Sequence, residues 1–315
     1  MLTSFFSKSN PINYLIIGIL LSIGYIYGGI AQTEAFLTFS SILEHLLYMV
    51  IVVFSMLLLD FVIRKNQLTK QNTFAILLFG CFFWMFPVIF TDQMAMLANL
   101  FLLLAFRRVV TLHSDRNNEK KILDAAIYIT IASFFYFWSL LYFVVLFIGI
   151  LRKPDTTFKQ LLIPVAGFVA VFILTTTVFF LTKDSFEWFY TWKTEISFDF
   201  STYNSVNILL PLAVLLTLIL WTVVFRLLSL KAAASKEKPN YVLLLVILLI
   251  TIVIALASPK KTGAELIFML APTAIIATNY LERIGVSATS EGEEIWFKEI
   301  LLWLIVLLPI AVLFV

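Results

Sequence analysis

Apolar runs long enough to cross a lipid bilayer fill most of this 315-residue chain, and they restrict its fold more than any other feature. A membrane-spanning helix needs about 20 apolar residues, and because hydrocarbon offers no hydrogen-bond partner, such a run must satisfy its own backbone. The sequence therefore predicts an all-α, polytopic transmembrane helical bundle of about eleven spans, which forms a single transmembrane domain over residues 1–315. The predicted spans are 14–31, 42–63, 74–90, 93–110, 122–136, 138–151, 160–182, 206–229, 241–257, 264–281 and 296–315.

The composition excludes a water-soluble fold and most classes of site. The chain is 62% hydrophobic and 13% charged, whereas soluble domains are about 45–50% apolar and about 25% charged. Its single cysteine, Cys81, cannot form an intrachain disulfide, and His45 and His113 lie too far apart for metal-ligand spacing. There is no phosphate-binding loop, dinucleotide motif or basic aromatic face, so we predict no metal, no cofactor and no nucleic-acid partner.

Two of the apolar regions predict pairs of short helices. The run from Ile122 to Leu151 would form a helix about 45 Å long at 1.5 Å per residue, well beyond a hydrocarbon core about 30 Å thick. Basic residues flank this run at both ends, and such flanks favour the cytoplasmic side. The chain should therefore reverse between Ser133 and Ser139. The region 74–106 has the same pattern, with its turn at 91–93.

The distribution of basic residues predicts the orientation. With a cytoplasmic N-terminus, 18 of the 22 Lys and Arg residues fall in cytoplasmic loops or at their edges. This excess follows the positive-inside rule. The four predicted exterior residues are Lys183, Lys193, Lys260 and Lys261.

An aromatic segment at 183–205 forms the longest predicted exterior loop. Aromatic rings favour the boundary between membrane and water, so we expect this segment to lie on the exterior surface. It is either a simple aromatic belt or a docking surface for a lipid-linked substrate or a partner protein. Its aromatic residues are Phe186, Trp188, Phe189, Tyr190, Trp192, Phe198 and Phe200.

Charged residues at or near the membrane are the candidate functional groups, because placing a charge there is unfavourable in free energy. Glu34 and Asp92 lie at predicted exterior turns, where a carboxylate near low dielectric can serve as a general base. Each can also be an ordinary polar turn residue, and Asp92 can cap the following helix. Lys260 and Lys261 can bind a phosphate, or they can pair with Glu265 or face solvent.

The turn between the ninth and tenth spans reads Ser-Pro-Lys-Lys-Thr-Gly-Ala-Glu-Leu-Ile-Phe-Met-Leu-Ala-Pro over 258–272. A basic loop before an apolar helix with an internal proline, together with the short paired helices, resembles the GT-C superfamily of membrane glycosyltransferases. That resemblance implies a polyprenyl-phosphate-linked sugar as substrate and a catalytic acidic residue in the first exterior loop. The matching residue is Glu34, with Glu44 as a second choice, and Asp92 matches a second acidic site. The first exterior loop here is short and lacks an adjacent acidic pair.

The chain as a whole is also similar to uncharacterised bacterial inner-membrane proteins, which implies a multi-pass protein of that membrane. We expect a GT-C-like role in cell-envelope glycan assembly, with membrane lipid as surroundings. One alternative is a non-catalytic subunit that binds other membrane proteins. A transporter is a further alternative, but it needs a polar site near the bilayer midplane, where these spans are nearly free of charge.

Overall fold

The structure is a computed structural model that describes residues 2–30, 38–113, 117–153, 156–229, 238–283 and 291–312. Within these ranges every regular element is helical, which confirms the predicted all-α class. Short 3₁₀ or π turns extend or join several of the α-helices. The α-helices are α1 (Leu2–Phe6), α2 (Pro11–Tyr25), α3 (Phe39–Lys65), α4 (Phe74–Met85), α5 (Gln93–Val110), α6 (Asn118–Phe135), α7 (Tyr142–Leu151), α8 (Phe158–Lys183), α9 (Trp188–Trp192), α10 (Val206–Ser229), α11 (Lys238–Leu256), α12 (Ile267–Arg283) and α13 (Glu291–Val312).

Each of the eleven predicted spans coincides with a helical element of the described residues. Seven helices are long and apolar enough to cross a membrane, by length and composition. They contain α2, α3, α5, α8, α10, α11 and α12. Two shorter apolar helices, Phe74–Met85 and Phe137–Leu151, belong to the predicted short pairs. The chain is therefore an integral membrane protein built from apolar helices.

Both predicted short pairs are interrupted by extended residues. Tyr136, with φ −145° and ψ 99°, ends α6, and Phe86, with φ −129° and ψ 77°, ends α4. A Cβ atom added to Gly149 near the end of α7 would lie 2.9 Å from Val109 Cγ1 near the end of α5. Lys121 at the start of α6 donates to Thr111 O just after α5, 2.8 Å away. The ends of α5 and α7 and the start of α6 thus lie together, so the chain reverses between α6 and α7 as predicted.

The helices differ widely in how deeply they lie in the bundle. The most apolar window of Ala264–Glu282 is 94% buried, whereas that of Phe158–Lys183 is only 11% buried. The first of these, which contains α12, packs against α4, α10 and α11 at the centre. The second, α8, packs mainly on α6, and a Cβ atom added to Gly167 would lie 2.8 Å from Ala126 Cβ. The bundle is therefore built around α12, and α8 lies at its edge.

Polar contacts join the start of the chain to its last helix at the predicted cytoplasmic end. The Glu299 carboxylate on α13 accepts hydrogen bonds from Leu2 N at 2.6 Å and Thr3 N at 3.1 Å. These amides belong to the first turn of α1, whose N–H groups have no partner within the helix. Thr73 N, just before α4, donates to Phe6 O at the end of α1, 3.0 Å away. The short helix α1 is therefore held at both of its ends.

Candidate functional site at the predicted exterior end

Lys261 caps the C-terminal end of α11. Its side chain is buried, and its Nζ donates to Ala255 O at 3.1 Å and to Leu256 O at 2.6 Å. The last carbonyls of a helix have no partner within the helix, so a cation there satisfies them and complements the helix dipole. Burial lowers the pKa of the Lys261 ammonium, and the Glu265 carboxylate acts in the opposite direction. The ammonium also lies 5.4 Å from the centre of the Phe200 ring.

Glu265 is a buried carboxylate in the 3₁₀ turn Ala264–Leu266, directly before α12, with only 2% of its surface exposed. Its Oε2 accepts hydrogen bonds from Gly263 N at 2.9 Å and Thr262 N at 3.2 Å, and its Oε1 accepts one from the Tyr203 hydroxyl at 2.7 Å. Gly263 has a φ of +94°, a conformation that favours glycine, and this bend directs successive N–H groups toward the carboxylate. With the Thr262 hydroxyl, which donates to Oε2 at 3.4 Å, four protein donors therefore hold the buried carboxylate.

Tyr203 attaches the exterior segment to this loop. It lies in the 3₁₀ turn Ser201–Asn204. Burial raises the pKa of the Tyr203 hydroxyl, and the negative charge of Glu265 raises it further. Ser197 N donates to Ser258 O at 3.3 Å and makes a second link between the same two parts of the chain. The segment before α10 is therefore fastened to the loop after α11.

Asp92 begins α5. Its Oδ1 accepts a hydrogen bond from Ala95 N at 2.9 Å, which is the contact expected of an N-terminal capping residue. The carboxylate satisfies an amide that has no partner within the helix and lies at the positive end of the helix dipole. The capping role considered from the sequence is therefore present.

The exterior ends of several predicted spans lie side by side. A Cβ atom added to Gly28, in the π turn after α2, would lie 2.8 Å from Pro87 O. The turn Pro87–Thr91 also contacts the turn Ala264–Leu266, which contains Glu265. The predicted exterior ends of the first, third and tenth predicted spans are therefore neighbours.

Tyr136 is a further polar residue near Glu265 and Asp92. Its hydroxyl approaches the Ser258 hydroxyl and lies within electrostatic range of Glu265 and Asp92. It is buried and makes no hydrogen bond of normal geometry with the described residues. Two neighbouring buried polar atoms that share this property are Trp138 Nε1 and Ser139 Oγ. The turn between α6 and α7 therefore adds unsatisfied polar groups to the exterior cluster.

The aromatic segment packs against the ends of α6 and α8. The Trp188 ring stacks on Phe179 with the ring centres 5.5 Å apart. Trp192 Nε1 donates to Ser133 O at 2.8 Å, and its ring lies 5.7 Å from that of Phe134. The tryptophans of α9 therefore fasten the segment to the bundle.

The structure describes three of the four residues that the sequence grouped as a site, Asp92, Lys260 and Lys261, and their surroundings differ. Lys260 is exposed, whereas Lys261 is buried and engaged with α11. Glu34 lies outside the described residues, and Glu44 is exposed on α3. A phosphate-binding role for Lys260 and Lys261 and a catalytic role for Glu34 and Asp92 stay predictions.

Sequence reasoning gave too little weight to the residues that organise this end. It considered Glu265 only as a partner for the lysines and did not single out Tyr203 or Tyr136. The signal available for Glu265 was its place beside Gly263, directly before a long apolar run.

The described residues contain no group of three or more side chains suited to hold a metal ion.

A family model described as a family of unknown function, DUF6427, matches residues 9–315. The chain belongs to DUF6427. No curated protein and no solved structure matches it. Membership of DUF6427 carries no activity over to this chain, so the geometry of the exterior end is the basis for a functional proposal.

Proposed function

We propose that the chain crosses the bacterial inner membrane about eleven times, with its N-terminus in the cytoplasm. Helices at all eleven predicted positions support this topology, as does the excess of Lys and Arg in the predicted cytoplasmic loops. Membrane lipid would cover the exposed apolar side chains of α3 and α8. The segment 183–205 would lie at the outer boundary of the membrane, where tryptophan and tyrosine are favoured.

Within that membrane we propose that the protein is a non-catalytic subunit of a larger complex. One observation carries the proposal: the charged groups best placed for chemistry at the exterior end already serve as structural partners. Asp92 caps α5, Lys261 donates to the last carbonyls of α11, and Glu265 accepts hydrogen bonds from four donors. A general base must instead reach a proton of the substrate. The exterior end is therefore suited to hold helices rigidly for other membrane proteins.

The adjacency of three exterior ends favours a second candidate, a GT-C-like glycosyltransferase. The end of α2, which precedes Glu34 in the chain, packs on the turn before Asp92, and that turn contacts the one after Lys261. On this candidate a polyprenyl-phosphate-linked sugar would bind there. Glu34 or Asp92 would activate the acceptor, and Lys260 and Lys261 would hold the carrier phosphate.

One pair of measurements separates the two candidates. The chromosomal gene would encode Glu34→Gln together with Asp92→Asn, and a matched strain would encode Glu187→Gln together with Glu195→Gln, which changes two acidic residues of the exterior segment instead. A subunit predicts normal envelope glycan in both strains. A glycosyltransferase predicts that only the first strain loses glycan while its protein level stays normal.

The subunit proposal also predicts that the protein has a stable partner. After extraction in a mild detergent, the protein should migrate on a native gel as part of a complex that contains at least one other membrane protein, and Asp92→Asn should leave that complex unchanged. The proposal would be wrong if the protein, extracted from the membranes of healthy cells, migrated without any other membrane protein.

A further inference from the structure

A groove lies at the predicted cytoplasmic end of the bundle, between the ends of α5 and α7 and the start of α11. The groove and the open space at its mouth together measure about 330 Å³. Arg152 and Lys153 form its basic rim and Asn240 its polar edge, while Val110 and Leu243 are among the apolar side chains of its floor. One cavity therefore combines positive charge with an apolar surface that leads into the spans.

The local structure explains why the basic rim lies over an apolar floor. Arg152 follows the last residue of α7 and caps that helix with its backbone amide. Gly149, one turn earlier, allows α7 to approach Val109 of α5 closely. The side chain of Arg152 is therefore held beside the floor and is half-buried. Within the part of the chain that the structure describes, it makes no ion pair with a carboxylate.

The charge of Arg152 needs compensation. Burial lowers the pKa of its guanidinium, which means that the surroundings penalise the charged form. The guanidinium stays charged because its ordinary pKa is above 12. Among the residues that the structure describes, the lining of the groove includes no acidic side chain. An anion from outside the chain would satisfy this site.

We propose that the groove binds the headgroup phosphate of an anionic phospholipid, with an acyl chain of that lipid on the apolar floor. Arginine presents a planar set of donors that matches phosphate oxygens in pairs, and lysine adds a point charge. Basic pockets at the ends of membrane helices are suited to anionic headgroups. Asn240, which also lines the groove, adds amide donors. Contact with Val110 and Leu243 distinguishes a phospholipid from free phosphate, which would gain nothing from an apolar floor.

The test compares two double variants of the full chain. Arg152→Gln with Lys153→Gln removes both charges of the groove. Lys120→Gln with Lys159→Gln removes the same charge from the same end of the bundle, since Lys120 is exposed and Lys159 makes only an exposed pair with Glu119. Each protein would be reconstituted in nanodiscs of phosphatidylcholine with a minor fraction of phosphatidylglycerol. Native mass spectrometry would then count the lipids that remain bound.

The wild-type chain and the Lys120/Lys159 variant should retain phosphatidylglycerol in preference to phosphatidylcholine. The Arg152/Lys153 variant should lose roughly 30-fold in affinity, since each basic group near an anionic surface contributes about 1 kcal/mol. If the double variant does not fold, the single variants should each show a loss of roughly 5-fold.

Three results would overturn the proposal. The Arg152/Lys153 variant, or both single variants, could retain phosphatidylglycerol as well as the wild type. The wild type could retain both lipids equally. Inorganic phosphate could displace the bound lipid fully, which would make the groove a site for free phosphate.

Discussion

The Tyr203 hydroxyl donates a hydrogen bond of 2.7 Å to Oε1 of Glu265, and this contact joins the exterior segment to the start of the most buried helix. Hydrogen bonds to a charged acceptor are among the stronger ones in proteins. A buried carboxylate that loses a donor is left partly unsatisfied. This single contact should therefore matter for the stability of the whole exterior end.

Replacing Tyr203 by phenylalanine tests that expectation. The change keeps the ring and removes only the hydroxyl, so the free energy of unfolding should fall by about 1.5–3 kcal/mol. Thermal unfolding of the purified protein in detergent would show a lower Tm. Tyr190→Phe is the matched control, because Tyr190 is 81% exposed and should tolerate the change. Equal Tm values for the two variants would contradict the role of the hydrogen bond.

Alkaline pH should weaken the same contact. Burial and Glu265 raise the pKa of Tyr203 above its ordinary value of 10.0, so the folded protein holds this proton more tightly than the unfolded chain. The stabilisation is fully present below pH 10.0 and is lost as the pH rises from there through the folded-state pKa. The Tm of the wild type should therefore fall above that pH more steeply than the Tm of Tyr203→Phe. Parallel curves would refute this assignment.

Lys260 and Lys261 should respond differently to loss of charge. Lys261→Met removes two buried hydrogen bonds to the end of α11 and should lower the free energy of unfolding by about 2 kcal/mol. Lys260→Met alters an exposed side chain and should change it by less than about 0.5 kcal/mol. Thermal melts of both variants would measure the difference. A larger loss for Lys260→Met would mean that the wrong lysine has been assigned to the helix end.

Gly28 should not tolerate a side chain. A Cβ atom there would lie 2.8 Å from Pro87 O, a backbone atom that cannot rotate away, so Gly28→Ala should cost about 1–3 kcal/mol. Gly18 on α2 has its nearest neighbour 3.9 Å away, and Gly18→Ala should be neutral or stabilising. Comparison of their Tm values checks the packing of α2 on the Pro87–Thr91 turn. A stable Gly28→Ala variant would show that these two parts are not in contact.

The orientation can be tested in intact cells with a membrane-impermeant thiol reagent. Cysteines at Thr91 and Lys193, both exposed at the predicted exterior end, should react. A cysteine at Lys120, exposed at the opposite end, should react only after the membrane is opened. The native Cys81 is buried and should not react with the reagent. Labelling at Lys120 but not at Thr91 in intact cells would invert the orientation.

The sequence was sufficient for the helices because hydrocarbon permits few alternatives. The lengths of the apolar runs placed the helices, and the basic residues on both flanks of 122–151 predicted a reversal between Ser133 and Ser139, where Tyr136 ends α6. Asp92 could also be recognised as a helix cap because capping depends on residues only three positions apart.

The contacts of the exterior end could not be predicted in the same way. Lys260 and Lys261 are adjacent and chemically identical, so only the course of the chain after α11 decides which of them is buried. The partner of Glu265 lies 62 positions away, and no local pattern brings Tyr203 to it. Such pairings depend on how the helices pack, which one sequence does not encode in its periodicity.

The bond between Glu299 and the first turn of α1 has a consequence for biosynthesis. A ribosome translates α1 before α13, so the amides of Leu2 and Thr3 have no bond to Glu299 until translation has passed that residue. Until then the insertion machinery, a chaperone or water must satisfy that turn. Docking of α1 on α13 is thus a late step of assembly, and a ribosome stalled before Glu299 would leave the first turn of α1 without that partner.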